Sequence, residues 1–271
     1  MAIDPGRICI NRKIAPALNM EAFFQLVQKL GLNKVELRND MNDGSVTDDL
    51  SHQQVNVLAK KYGMEIITIN AIYPFNVISG DLLARVGGLL KDAKGTGAKA
   101  LVMCPLNDGT PVSADDTVNA LRMLAPLFDH YGIKGLVEPL GFPTSSLRSA
   151  GQALRLINKA EVPFTLVLDT FHHYLYEGAE QDFAAGLDVS RIGLVHLSGV
   201  EDDRETHTLT DEQRIMLSEG DRLKSLSQVQ RLEQLGYTGI YAFEPFASCM
   251  NSWTAADIER EIRHSIAVLQ G

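Results

Sequence analysis

Short apolar runs, separated by longer stretches with helical spacing, recur from one end of the chain to the other. The runs are RICINR from Arg7, KVELR from Lys34, EIITINA from Glu65, KALVMCP from Lys99, and then GIKGLVEPLG, FTLVLDTFHH, IGLVHLSG and GIYAFEPF. They are nearly continuous in apolar residues, as expected of strands buried on both faces of a parallel sheet. Between them lie amphipathic segments with start and stop signals. Ser113 caps a helix whose face carries Val118, Leu121, Leu124 and Phe128, with Gly132 just past its end. Another runs through Leu226, Val229, Leu232 and Leu235 and stops at Gly236. A third begins at Thr254 and shows Ile258, Ile262, Ile266 and Leu269 at helical spacing.

Eight strand-then-helix units in 271 residues, with no Pro/Gly/Ser-rich linker, predict an α/β fold: a single (β/α)8 TIM barrel spanning residues 1–271 as one domain. The rival is a doubly wound open sheet. That fold usually carries a Gly-rich phosphate turn after its first strand, and Arg7 to Met20 contains neither GxGxxG nor GxxxxGK.

The polar residues inside the last four runs change the picture most. Glu138, Asp169, His196 and Glu244 each stand at or near the C-terminal end of a strand-like run. A charged group in such a run is costly to bury unless it is paired or bound to a metal. In a (β/α)8 barrel the C-terminal strand ends build the active site, so the barrel brings all four together. Three carboxylates and one imidazole converging there suit a divalent cation.

Composition narrows the partners. With 45% hydrophobic and 22% charged residues the chain resembles an ordinary globular protein. Its net charge of −9 argues against binding nucleic acid or anionic lipid, and a small neutral substrate fits better. The N-terminal MAIDPGRICINRK has no apolar signal core, and no uncharged apolar run approaches the roughly 18 residues of a membrane span. A cytoplasmic protein is therefore expected, with a homo-oligomer allowed. Cys9, Cys104 and Cys249 are far apart and lack CxxC spacing, which reads as reduced core thiols.

VEPLG, LDTFHH, VHLSG and FEPF, in this order and at these separations, resemble the xylose-isomerase-like TIM barrels, sugar isomerases and epimerases that bind one divalent cation. The resemblance covers the whole chain. After strand seven, HLSGVEDDRETHTLTDEQRIMLSEGDRL is similar to the loop of inosose isomerases, which interconvert keto-inositols in myo-inositol breakdown. The resemblance implies a metal held by Glu138, Asp169, His196 and Glu244. It also assigns Glu138 and Glu244 to proton abstraction and return.

The chemistry can be argued beside the resemblance. A proton α to a ketone is too weakly acidic to leave at neutral pH unless the developing enolate oxygen is stabilised, which a divalent cation does. Carboxylates with a single imidazole suit Mn2+, the leading expectation, and also Mg2+, Co2+ or Zn2+. An isomerase needs a base on one carbon and an acid on its neighbour. Glu138 and Glu244, from strands five and eight, face each other across a barrel mouth.

Further candidates surround this set. His172 follows Asp169 by three residues, a spacing shared with the family, and is assigned to a substrate oxygen. Arg204 lies in the acidic segment after strand seven, where some branches of the family carry an arginine. Its forked guanidinium would suit a substrate hydroxyl or the enolate oxygen. Trp253 could wall the cavity with an apolar face. Glu36 and Asn70 are strand-end polar groups suited to supporting the pocket. His173 should point elsewhere, and His52, His130, His207 and His264 fit surface or helix-end roles.

The expected function is thus metal-dependent isomerisation or epimerisation of a keto-cyclitol or ketose by proton transfer through an enediolate, with inosose as the leading substrate. Alternatives are an inosose dehydratase, a ketohexose 3-epimerase, an endonuclease of the same superfamily and a non-catalytic sugar-binding module. The endonuclease would need several metals, more histidines and a basic face, which seven His and a charge of −9 do not supply.

Overall fold

A computed structural model describes residues 3–41 and 43–271. Eight parallel strands close in sequence order into one barrel. They are β1 (Ile8–Asn11), β2 (Lys34–Arg38), β3 (Glu65–Ile72), β4 (Ala100–Met103), β5 (Lys134–Val137), β6 (Thr165–Asp169), β7 (Ile192–Leu197) and β8 (Tyr241–Phe243). β8 pairs with β1 through Ile8 and Tyr241, so the sheet has no free edge. The helices are α1 (Met20–Lys29), α2 (His52–Tyr62), α3 (Gly80–Thr96), α4 (Ala114–Tyr131), α5 (Ala150–Ala160), α6 (Thr170–Leu175), α7 (Ala179–Ala184), α8 (Ser225–Gln234) and α9 (Ala255–Gln270). The (β/α)8 expectation therefore holds. No helix among the described residues is long and apolar enough to cross a membrane.

Local chemistry sets the helix ends where the sequence places them. Ser113 accepts the Asp116 N–H to start α4, and Gly132 ends it in the left-handed region at φ 67°. Thr254 and Asp257 form a capping box at the start of α9, which buries Ile258, Ile262 and Leu269. α8 starts without a side-chain cap and buries Val229 and Leu232.

Strand alternation divides the apolar residues into two layers. One cluster joins Cys9, Ile67, Ala100, Val102, Leu136, Val167, Leu194 and Ala242. The other joins intervening strand residues such as Ile10, Leu101, Val137, Leu168 and Val195 to the buried helix faces. With a side-chain period of two, the residues two places after Cys9, Leu136, Val167, Leu194 and Ala242 also face inward. Those residues are Asn11, Glu138, Asp169, His196 and Glu244. The barrel interior thus changes from an apolar plug to a polar mouth within one strand period. Of the three cysteines only Cys9 is fully buried; Cys104 is half-buried, and Cys249 is exposed in the turn after β8, against the expectation of three core thiols.

Candidate functional site

Asp169 ends β6, His196 is the penultimate residue of β7, and Glu138 and Glu244 immediately follow β5 and β8. Asp169 and His196 are paired in the β6–β7 register, and His196 is paired with Ala242, two residues before Glu244. Barrel closure brings the four groups together: one ligand atom from each lies within 4.8 Å of all the others, and all four residues are buried. His196 Nδ1 stands 3.1 Å from Glu138 Oε1 and 2.9 Å from Glu244 Oε2.

The other face of His196 orients its ring. Its Nε2 lies 3.0 Å from Oε1 of Glu36, which is fully buried on β2 and also accepts from Thr68 Oγ1 at 2.6 Å and Asn70 Nδ2 at 3.0 Å. An ionised carboxylate only accepts, so Nε2 donates its proton to Glu36, and Nδ1, which donates to Glu138 and Glu244 when the ring is protonated, would turn its lone pair to a cation held among the carboxylates. This oriented imidazole with acceptors behind it is the usual support of a metal-ligating histidine. Glu36 and Asn70 accordingly occupy the supporting positions that their strand-end placement suggested.

Crowding of like charge shapes the titration of the cluster. Burial, together with Glu138 and Glu244, pushes Asp169 up to about 7 against the attraction of Arg214. Burial alone would lower His196, but Glu244, Glu36 and Glu138 raise it well above the usual imidazole range. Burial would raise Glu244, yet His196, Arg38 and Arg214 hold it well below the carboxylate range. A buried site that raises one carboxyl and protonates its imidazole carries surplus negative charge, which a divalent cation would neutralise. The donor set therefore fits such an ion: three carboxylates and one imidazole, with no thiolate among them.

Two buried arginines complete the site, and the sequence reading named neither. Arg38 Nη1 donates to Glu244 Oε1 at 2.6 Å, while its Nε and Nη2 hold Asp40 at 2.6 and 2.9 Å. Arg214, in the long segment after β7, donates from Nη2 to Asp169 Oδ2 and to Glu244 Oε2 and from Nη1 to Asp211. Its guanidinium lies 4.8 Å from the ring centroid of Phe171 and 4.4 Å from that of Phe246. Asn11 Nδ2 bridges Glu36 and Glu244 at 3.0 and 3.2 Å, and the Cys104 thiol approaches Glu138 Oε2 at 3.4 Å.

The remaining candidates divide. His172 is buried beside Phe142 and Phe171, ring centroids 5.0 and 5.2 Å away, and its Nδ1 has no hydrogen-bond partner among the described residues. Burial and nearby Arg214 keep its ring neutral. Gly141 permits this placement, since a Cβ there would lie 2.0 Å from the His172 carbonyl oxygen. Arg204 is not brought to the cluster. Its side chain is 43% exposed and turned onto Asp202, so the arginine that this loop delivers to the site is Arg214. Trp253 is half-buried, packs against the main core and marks the end of a 3-10 turn. His173 points away from the cluster, against Phe183. His52, His207 and His264 pair with Asp92, Glu205 and Glu219, and His130 stacks on Tyr131.

Known proteins resemble this chain to different degrees. The sequence model of the family described as xylose isomerase-like TIM barrel matches residues 24–271. An inosose isomerase of Bacillus subtilis strain 168 is 22% identical over 237 residues, 84% of each chain. A crystal structure of a xylose isomerase domain containing protein from Salmonella typhimurium LT2 is 60% identical and superimposes with a TM-score of 0.99 over 100% of both chains. The IOLI protein, solved with a bound zinc atom, is 20% identical with a TM-score of 0.84 over 97% of each chain.

Proposed function

The chain belongs to the xylose isomerase-like TIM-barrel family, and on that premise we propose that it is a divalent-metal-dependent isomerase or epimerase of a keto-cyclitol or ketose, with 2-keto-myo-inositol the leading substrate. The observation that carries this reading is the convergence of Glu138, Asp169, His196 and Glu244, buried and within 4.8 Å of one another, at the C-terminal end of the barrel. The choice of substrate draws support from the inosose isomerase relative, which aligns over 84% of both chains.

Those four residues would hold Mn2+ or, with the same donors, Mg2+, Co2+ or Zn2+. When bound, the cation supplies positive charge where a substrate oxygen becomes negative. The residues of the chain do the rest. Glu138 and Glu244 are the acid–base pair, and Glu138 has the fewer donors around it. Both meet His196 Nδ1; beyond it, among the described residues, Glu138 meets the weak thiol donor of Cys104, whereas Glu244 accepts from Arg38, Asn11 and Arg214. His172, held neutral by burial and Arg214, binds a substrate oxygen. Phe142 beside His172 and Phe246 beside Arg214 are partly exposed and offer aromatic surface, which suits the C–H faces of a polyhydroxylated ring.

Incubation with Mn2+ and a panel of keto-inositols and ketohexoses in D2O, followed by NMR, tests the reading. Deuterium should enter an isomeric product α to the carbonyl. Failure of every substrate to exchange would reject the proposal. A product lighter by one water would transfer the site to a dehydratase.

A further inference from the structure

Arg38 ends β2 on the same face as Glu36, and its side chain is almost wholly buried beside Glu244. Among the described residues it makes four hydrogen bonds: Nη1 donates to Glu244 Oε1 at 2.6 Å and to Asn11 Oδ1 at 3.2 Å, and Nε and Nη2 donate to the two oxygens of Asp40 at 2.6 and 2.9 Å. A buried cation on a metal-ligand candidate has two opposed effects. It holds Oε1 of Glu244 in place, so that Oε2 is the oxygen standing 2.9 Å from His196 Nδ1 within the cluster. It also puts positive charge beside the place a divalent ion would take, which disfavours that ion.

Asp40 separates the two effects. Its bidentate grip fixes the plane of the guanidinium and opposes its charge, while Lys13 approaches the same carboxylate more loosely, at 3.6 Å. Asp40 is 43% exposed and stands outside the ligand set, yet the turn that carries it is pinned. The neighbouring Asn39 donates from Nδ2 to the Ala71 carbonyl and accepts the Ala71 N–H, each at 2.9 Å, and its own N–H donates to the Asn70 carbonyl at 2.8 Å. The far end of β3 thus holds Asn39, and with it the backbone from which Asp40 reaches the arginine. Arg214 is held differently. Both guanidinium groups face the Phe246 ring, at 5.0 and 4.4 Å, but Arg214 meets Asp211 through one hydrogen bond of 3.1 Å and is also anchored by Ser198, the Glu244 carbonyl and the Phe171 ring. We infer that Asp40 is a positioning residue for the metal site: by clamping and neutralising Arg38 it keeps Glu244 turned to the cation without the arginine repelling that cation. The inference rests on the metal site of the proposed function and on no step of the reaction.

Titration of Mn2+ into the chelator-stripped protein, followed by the electron paramagnetic resonance of free Mn2+, tests it without substrate or turnover. Asp40→Asn keeps the side-chain shape and removes the charge, and it should raise the Mn2+ Kd about 10- to 100-fold, the usual cost of losing an outer partner of a metal site. In an Arg38→Met background the same substitution should move the Kd by less than about threefold, because no guanidinium is left to position. Asp211→Asn removes an equal charge from a side chain of similar exposure, 50%, and should also shift the Kd by less than about threefold, since Arg214 keeps its other anchors. A Kd unchanged by Asp40→Asn overturns the inference. So does an equal effect of Asp40→Asn with and without Arg38, or an equal loss in Asp211→Asn, either of which would mark a long-range effect of charge. The Asp211 comparison decides alone if Arg38→Met fails to fold. Wild-type protein that binds no Mn2+ overturns the metal site itself, and the inference with it.

Discussion

Arg214 Nη2 donates to Asp169 and, at 3.3 Å, to both the carboxylate and the backbone carbonyl of Glu244, so a single guanidinium spans two of the four ligand candidates. The backbone carbonyl of Arg214 in turn accepts from Phe246 and Ala247. The segment after β7 is thereby tied to the segment after β8 directly over the polar mouth. Replacing the arginine leaves Asp169 buried without its cation, and breaking one side of a buried pair costs roughly 3–5 kcal/mol. Arg214→Met should lower the unfolding free energy of the chelated protein by about that amount, measured by denaturant titration, and added Mn2+ should recover part of it. Arg214→Lys should not restore stability, because a point-like ammonium cannot reproduce the forked contacts. A loss under about 1 kcal/mol in Arg214→Met would show that the pair is dispensable.

Metal binding itself gives the second prediction. Asp169→Ala combined with His196→Ala removes two of the four donors, one of them the imidazole that Glu36 orients. The purified double variant should carry no stoichiometric divalent ion by elemental analysis, and chelation should abolish activity of the wild-type protein. Stoichiometric metal in the double variant would place the ion elsewhere.

Why some of this was readable from residues alone, and some not, follows from periodicity. Glu138, Asp169, His196 and Glu244 stand out because each interrupts an apolar run on the inward face of a strand, where a lone charge is costly. The same alternation puts Arg38 on the face of Glu36 and Asn11 on that of Cys9, so a signal for both existed in KVELR and RICIN. Arg214 had none. It lies in an irregular charged segment in which nothing local separates it from Arg204, and its burial depends on Phe171 and Phe246, distant in sequence. The exposure of Cys249 was hidden for the same reason, because turn residues lack a period from which to read a face.

Stability below neutral pH should depend on His173. Burial holds its pKa down to about 4 against the opposing pull of Asp182, from an ordinary value of 6.5. The unfolded chain therefore binds the proton first as pH falls. The stabilisation is fully present above pH 6.5, declines between 6.5 and about 4, and levels off below that. A shift of this size corresponds to about 3 kcal/mol. His173→Gln should flatten the pH dependence of the unfolding free energy across that window. Parallel curves for variant and wild type would show that His173 is not the group responsible.

The two glutamates offer the sharpest test of mechanism, because their surroundings differ. Glu138→Gln puts an amide beside the Cys104 thiol, a weak and adaptable neighbour, so the fold should tolerate it. In Glu244→Gln one carboxylate oxygen becomes an NH2 group facing donors of Arg38, Asn11 or Arg214, which should cost about 1–3 kcal/mol of stability as well as activity. Both variants keep an oxygen that can coordinate metal and lose a proton acceptor. Loss of a positioned base typically lowers the rate by about 10²- to 10⁴-fold, whereas a weakened ligand is rescued by added metal. Each variant should therefore bind substrate, turn over slowly in saturating Mn2+, and, for Glu138→Gln, show little exchange of the α proton with D2O. If excess Mn2+ returns both variants to near wild-type turnover, the glutamates serve only as ligands, and proton transfer must be reassigned to His172.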